Sequence, residues 1–414
     1  MTAAQAAKQW GISDRRVRVL CTEGKIPGAF KNGKSYKIPL GATKPADGRE
    51  KNPAVRYLKW ENEVVGTIDA ANTVSFTNHN YNNVVAMYTC QAKLWTSEQF
   101  TEFLSERIIS RDRRDIERVL FRCGLSHYDI LRIAEITRGI HPKDLLWIAN
   151  YENELQGTVI TDVFDSVFHQ RIDLVGDSID TPEGYNIKRY GVYNGQYGIY
   201  KQRINPLTTD VESEIAVYLL AQKLGVPCCP AFRSDKDTIF STFLYDFSTE
   251  YIVHFRRLFN GKRSDNEYQN LIGVRPQYKD NIAQMILLDF ITRQDDRHLS
   301  NIAIKMGKSG ESFYPLYDNG RCLFYEDTEE LVSQAIADPT TYATTFGYSG
   351  TYWDYAGEIA EERGGLKGLL NLDVAESDVA AVLKEAGFTG YRFNGALAWI
   401  MKAISMVSDT KPLA

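Results

Sequence analysis

No apolar run in this 414-residue chain reaches the length of a membrane span. The N-terminus lacks the charged-then-apolar layout of a secretion signal, so a cytoplasmic protein is expected. The six cysteines (Cys21, Cys90, Cys123, Cys228, Cys229, Cys322) lack the paired spacing of a zinc site. Reduced, buried thiols follow from that, with Cys228-Cys229 at the start of a strand after Val226-Pro227. There is no internal repeat, no low-complexity tract and no standard glycine-rich phosphate signature. What the chain does have is 43% hydrophobic and 24% charged residues, the balance of an ordinary globular protein. Its 24 Tyr and 19 Phe are enough to fill large cores, and its length allows two to four domains.

Charge is unevenly spread. Residues 1–50 hold ten Lys/Arg against four Asp/Glu, a net of +6, so within a total of −5 the remainder carries −11. A basic head on an acidic body points to a polyanionic partner for the head. Thr2 caps a helix with Ala3, Ala6, Ala7 and Trp10 at helical spacing, and Gly11-Ile12 breaks it. Ser13 and Asp14 restart a second helix with Val17, Leu20 and Cys21 inward and Arg15 and Arg18 on an outer face. Gly24 ends it, and IPGAFKNGKSYKIP reads as two strands joined through Asn32-Gly33. Residues 1–43 thus resemble the winged helix-turn-helix modules of the excisionase and MerR type. The resemblance implies DNA binding, with Arg15, Arg16 and Arg18 toward the groove and Lys31 and Lys34 on phosphates. A protein-docking role for the same fold stands as the alternative. Residues 44–53, rich in Gly, Pro and charge, read as a linker.

Residues 54–165 read as a small β element followed by helices. Val55 to Thr67 is a strand, a turn at Glu61-Asn62-Glu63, and a strand. Helical patterns follow from Glu98 and over Ile130 to Ile140. Arg111 to Arg122 interleaves Arg111, Arg113 and Arg114 with Asp112, Asp115 and Glu117, the pattern of a salt-bridged, solvated helix.

The chemistry concentrates between Asn281 and Gly320. An almost wholly apolar helix containing Ile282, Met285, Ile286, Leu288 and Phe290 leads into Gln294-Asp295-Asp296-Arg297-His298-Leu299-Ser300-Asn301. Tyr317-Asp318-Asn319-Gly320 follows at the end of a second short strand. Asn301 and Asp318 are oxygen ligands of the kind Mg²⁺ takes, few in number and completed by water and substrate phosphates. Asp296 is then left to accept a proton from an attacking hydroxyl. Taken singly, each motif also reads as a solvated turn.

Asp296-Arg297-His298-Leu299-Ser300-Asn301 resembles the catalytic loop of phosphatidylinositol-3/4-kinase-like enzymes and of HipA-like serine/threonine kinases, and Asp318-Asn319-Gly320 resembles their metal-binding turn. The resemblance implies an α+β, bilobal, protein-kinase-like fold using ATP and Mg²⁺, with a small lobe over 166–248 and a large lobe over 249–414. It carries catalytic roles to Asp296, Asn301 and Asp318. For His298 two readings stand, packing that fixes the loop or a place near the γ-phosphate. Asp289 is assigned to bonding backbone groups of the loop.

On the small lobe, residues 175–186 hold Gly176, Ser178, Thr181 and Gly184, small enough for backbone amides to approach phosphate. Two strands flank Asn194-Gly195, the second carrying Lys201, and a helix with Glu212 and Glu214 follows. The resemblance gives Lys201 the ATP phosphates and Glu214 the task of aiming it. Phe243, Leu244 and Tyr245 are the adenine-hinge candidates. Residues 321–361 read as an irregular, aromatic activation or docking segment, with helices over Ser377 to Glu385 and Gly395 to Ile404 closing the chain.

The acceptor implied is a Ser/Thr hydroxyl on a protein, in a toxin–antitoxin or regulatory setting with an antitoxin-like protein as a further partner. A lipid or small-molecule kinase is one alternative. A transcription regulator whose inactive kinase fold senses nucleotide is another. No basic amphipathic helix is evident, and an acidic body repels anionic membranes, so no membrane partner is expected.

Overall fold

The computed structural model of the chain describes residues 1–26, 28–33, 35–39, 42, 44, 55–77, 93–113, 115–142, 144–155, 188–246, 249–259, 265–307, 310–346 and 350–410. These residues form a mixed fold of helices and four antiparallel sheets.

In the head, Thr2 and Gln5 form a capping box on the helix Ala3–Trp10, and Gly11 ends it in a left-handed conformation. Ser13 caps Asp14–Thr22. The inner faces of both helices meet Ile26 and Ile38 in a small core of their own. Strands β1 (Phe30–Asn32) and β2 (Ser35–Lys37) form the hairpin. Asn32 pairs with Ser35, so the turn falls one residue later than the expected Asn32-Gly33. A primed hairpin turn needs positive φ at its first central position, and Gly33 supplies it at φ +62.

A five-stranded sheet runs in the order β6 (Leu94–Trp95), β5 (Val74–Phe76), β4 (Glu63–Ile68), β3 (Arg56–Trp60), β7 (Leu146–Ala149). Trp60 pairs with Glu63 across Glu61-Asn62, close to the expected turn. Sequence reasoning missed β7. All four of its residues are buried, so it shows no alternation to read. The Arg111–Arg122 stretch differs from expectation: among its described residues, only Ile116–Arg122 is helical. Arg113 is buried, with Nε 2.6 Å from Asp115 Oδ1, so this ion pair precedes the helix instead of decorating it.

The next sheet has the order β10 (Ala231–Asp235), β11 (Thr238–Thr242), β9 (Gln196–Gln202), β8 (Lys188–Tyr193). Asn194 and Gly195, at φ +49 and +78, make the β8–β9 turn as read from the sequence. At Gly198 a Cβ atom would lie 2.2 Å from the Ser241 carbonyl oxygen, so only glycine lets β9 approach β11. The helix Asp210–Leu224 packs on this sheet.

The fourth sheet is β12 (Glu250–His254), β13 (Ala303–Gly307) and β14 (Gly310–Phe313), and the helix Lys279–Ile291 precedes its central strand in the chain. Nine residues of that helix are buried, Asp289 among them. A fully buried Leu, Ile or Phe contributes roughly 1.5–3 kcal/mol, which makes this helix the spine of the main core. Residues 321–361 depart from expectation. They include the helices Glu329–Ala337, capped by Thr328, and Tyr352–Arg363, capped by Thr351. Their aromatics pack inward: Tyr342 stacks on Tyr352 and stands edge-on to Trp399, and Phe346 meets Tyr355. The final helices are Glu376–Ala386 and Gly390–Asp409, somewhat longer than their sequence signals.

Candidate active site

Arg293, at φ +48, turns the chain out of the helix Lys279–Ile291, and β13 takes it away again after Asn301. The loop between them is mostly buried, so its polar groups need partners inside the protein. Arg297 is fully buried. Its Nε lies 3.0 Å from Asp289 Oδ2, Nη1 donates to the Tyr317 carbonyl at 2.8 Å, and Nη2 donates to Asn319 Oδ1 at 2.6 Å. Asp289 therefore holds the loop through the Arg297 side chain, not through backbone groups as expected. One guanidinium ties together the helix, the loop and the 317–320 turn.

The peptide groups around Asp296 are each held. Its N–H donates to Gln294 Oε1 at 2.8 Å, and its carbonyl accepts from Asn301 Nδ2 at 2.8 Å. The Arg297 N–H donates to Thr345 Oγ1 at 2.7 Å. With Nδ2 committed, Asn301 is left with its carbonyl oxygen as the atom for a cation. His298 Nδ1 accepts from the Ser300 N–H at 3.3 Å, and its Nε2 lies 3.4 Å from Asn301 Nδ2. In this geometry both ring nitrogens face polar groups of the loop itself.

Asp318 is not at the end of a strand. It follows an isolated bridge between Leu316 and Cys228, five residues beyond β14, at φ +58. A non-glycine residue in that region is uncommon, and Asp tolerates it better than most. Lys201 Nζ contacts both Glu214 and Asp318, the latter at 2.9 Å from Oδ1, and Lys188 Nζ lies 3.7 Å from Asp318 Oδ2. Lys188 and Lys201 are direct cross-strand partners on β8 and β9. Like charges opposite each other repel, and here the Asp318 carboxylate lies between them. Glu212 turns away, its Oε2 2.6 Å from Arg203 Nη1 and its Oε1 3.2 Å from Arg233 Nη2.

The two aspartates are driven apart. Burial pushes Asp296 above the usual carboxylate range, and the Asp318 charge adds to it, against Arg321, His298 and Lys188. Burial acts on Asp318 as well, but the Lys188 and Lys201 ammonium groups outweigh it and hold the carboxyl well below that range. Two carboxyls with opposed shifts suit two roles, a permanently ionised ligand and a more basic proton acceptor. Among the described residues no cluster of three or more His, Cys, Asp or Glu could hold a metal. One carboxylate and one amide oxygen suit Mg²⁺ when phosphates and water supply the rest.

The other candidates are dispersed. Ser178 and Gly184 lie outside the described residues, as does Lys34. At the hinge candidates, the Phe243 N–H donates to the Tyr197 carbonyl at 2.9 Å and the Leu244 N–H to Tyr314 Oη at 3.1 Å. Tyr245 Oη donates to the Pro142 carbonyl at 2.8 Å. Two amides expected to face adenine are thus engaged within the chain, because the aromatic cluster of Tyr190, Phe243, Tyr245 and Tyr314 packs around them. In the head, Arg15 and Lys31 are exposed, Arg16 is half-buried, and Arg18 Nε donates to Asp14 Oδ2 at 2.8 Å.

Sequence reasoning missed Lys188, Gln294, Arg297 and Thr345. Lys188 was within reach, since pairing outward from Asn194-Gly195 sets it opposite Lys201. Thr345, 48 residues from its partner, left no local signal.

No protein-family model matches the chain, and no curated protein is similar to it. Among solved structures, it is similar to the Helicobacter pylori proinflammatory kinase CtkA at 15% identity and a TM-score of 0.44, over 54% of this chain and 88% of that one. It is also similar to a chain of the Shewanella oneidensis toxin–antitoxin complex of HipA, HipB and operator DNA. There the identity is 13% and the TM-score 0.44, over 86% of this chain and all of that one. No helix among the described residues is long and apolar enough to cross a membrane.

Proposed function

We propose that the chain is an ATP- and Mg²⁺-dependent kinase that phosphorylates a Ser/Thr hydroxyl on a protein, with a DNA-binding head. The observation that carries this reading is Lys201, shared between Glu214, 13 residues on, and Asp318, 117 residues on. A lysine aimed by a helix glutamate beside a metal-binding aspartate is what phosphoryl transfer uses to hold and neutralise phosphates. Lys201 and Lys188 would bind phosphate oxygens, and Asp318 and Asn301 Oδ1 would hold the metal. Mg²⁺ supplies charge neutralisation when bound. Asp296, the more basic carboxyl, would take the acceptor proton.

The test is Asp318→Asn in the purified chain. Phosphoryl transfer should be lost and equilibrium binding of Mg·nucleotide weakened, with the fold retained by circular dichroism. Near-normal turnover would sink the assignment. Nucleotide binding without transfer in the native chain would favour the nucleotide-sensing regulator instead.

The domain division at 43, 53, 165 and 248 belongs to this proposal. So does the head's winged helix-turn-helix reading, supported by two capped helices and a basic hairpin around one small core. A protein substrate and an antitoxin-like partner complete it. Ser178, flanked by small residues, is the proposed site of silencing self-phosphorylation, where added charge would repel ATP phosphates. Peptide mapping after incubation with Mg·ATP should find phosphate between residues 172 and 190, and its absence there would count against the site.

A further inference from the structure

We infer that Thr345 is a positioning residue for Asp296, acting through the peptide bond between Asp296 and Arg297. That peptide is held from both sides. Its carbonyl accepts from Asn301 Nδ2 at 2.8 Å and from the His298 N–H at 3.0 Å, while its N–H donates to Thr345 Oγ1 at 2.7 Å. Asn301 and His298 belong to the loop itself, whereas Thr345 reaches in from a segment 48 residues away. Rotation of the peptide plane would swing the Asp296 side chain, and Thr345 is the outside group that stops it.

The surroundings keep Thr345 in register. Thr344 N–H donates to the Gly350 carbonyl at 3.2 Å, and Ala343 bridges Thr351, so the two residues before Thr345 are tied to Gly350 and Thr351. Tyr352 follows, buried and stacked on Tyr342, with its hydroxyl 3.4 Å from the Gln294 carbonyl. Gln294 is the residue whose side chain accepts the Asp296 N–H. Tyr352 and Thr345 thus brace both flanks of the proposed base, the first at Gln294 and the second at Arg297. Since the Arg297 residue is fully buried, its N–H has no water to turn to if the hydroxyl is removed.

This inference rests on the kinase reading above, and its test separates the two. Thr345→Val removes the acceptor at nearly constant size, and Thr345→Ser restores it. In Thr345→Val, kcat should fall roughly 10- to 100-fold, the cost of a misplaced reacting group. The KM for ATP and the equilibrium affinity for a non-hydrolysable Mg·nucleotide should stay within about twofold, because the Lys201 and Asp318 contacts are untouched. Thr345→Ser should recover most of kcat. Amide hydrogen exchange, which needs no turnover, should show lost protection at Arg297 in the valine variant alone. Wild-type kcat in Thr345→Val, an equal loss in Thr345→Ser, or nucleotide affinity falling in step with kcat would each overturn the positioning role. A wild-type chain that binds nucleotide but transfers no phosphate would overturn the kinase reading and this role with it. If transfer is intact in the wild type and unchanged in Thr345→Val, only the role of Thr345 falls.

Discussion

The head and the loop after the helix Lys279–Ile291 both carry arginines beside aspartates, and they use them in opposite ways. In the head, Arg18 and Asp14 sit one helical turn apart with side chains 58% and 39% exposed. In the loop, Arg297 and Asp289 are 0% and 1% exposed. The exposed pair is screened by water and salt and is replaceable by other ions. The buried pair is shut off from water and salt, so its geometry is fixed by the fold and in turn fixes the fold. A surface meant to exchange ions with a polyanion needs the first arrangement. A site that must hold a carboxyl within tenths of an ångström needs the second.

Removing the proposed base should have the largest effect. In Asp296→Asn, transfer should drop by about 10²- to 10⁴-fold, the usual worth of a positioned general base. DNA binding by the same variant should be unchanged in a gel-shift assay. Loss of both activities would mean that the two regions are not independent, and the contrast drawn between them would fail.

The ion pairs themselves come next. Asp289→Ala leaves a buried guanidinium without its counter-ion, and breaking a buried pair costs about 3–5 kcal/mol. Asp14→Ala removes an exposed helix pair worth roughly 0.3–0.5 kcal/mol. Denaturant unfolding should therefore separate the two variants by several-fold in lost stability. Comparable losses would show that the loop relaxes around Arg297 and that burial there is not the constraint argued above.

What could be read from the sequence follows the same division. The head was legible almost residue by residue because its determinants are local: Thr2 with Gln5, Ser13, Gly11 and the short hairpin, whose register alone slipped by one. At the site, the sequence offered Asp296, Asn301, Asp318, Lys201 and Glu214, and the structure brings Lys201, Glu214 and Asp318 into contact. It did not offer what supports them. Arg297 sits inside the motif, but nothing in its neighbours says that it joins Asp289, Tyr317 and Asn319. Residues 321–361 read as irregular in sequence because closely spaced aromatics with small residues between them do not produce a clean helical period. Packing of Tyr342, Phe346, Tyr352 and Tyr355 against one another decided the outcome. Long-range contacts of that kind have no signature in a single sequence.

The smallest effect is expected on the exposed side, and it is the one that tests what the head's charges are for. Each phosphate neutralised contributes a slope of about −0.9 in log K against log[salt]. Arg15 is exposed, so Arg15→Ala should flatten the slope by close to that amount if Arg15 meets a phosphate. Arg18 is different, because its guanidinium already donates to Asp14 and must exchange that carboxylate for a phosphate on binding. Arg18→Ala should flatten the slope as much as Arg15→Ala but weaken binding at low salt by less, since the exchange returns part of what the contact gains. Asp14→Ala should act in the opposite direction, freeing Arg18 and tightening binding slightly. A gel-shift salt titration with these three variants and with residues 1–43 deleted reads all of this at once, and ATP turnover should be the same in every one. If the deletion leaves DNA affinity untouched, the exposed arginines serve protein docking, and the charge contrast between the two regions has another cause.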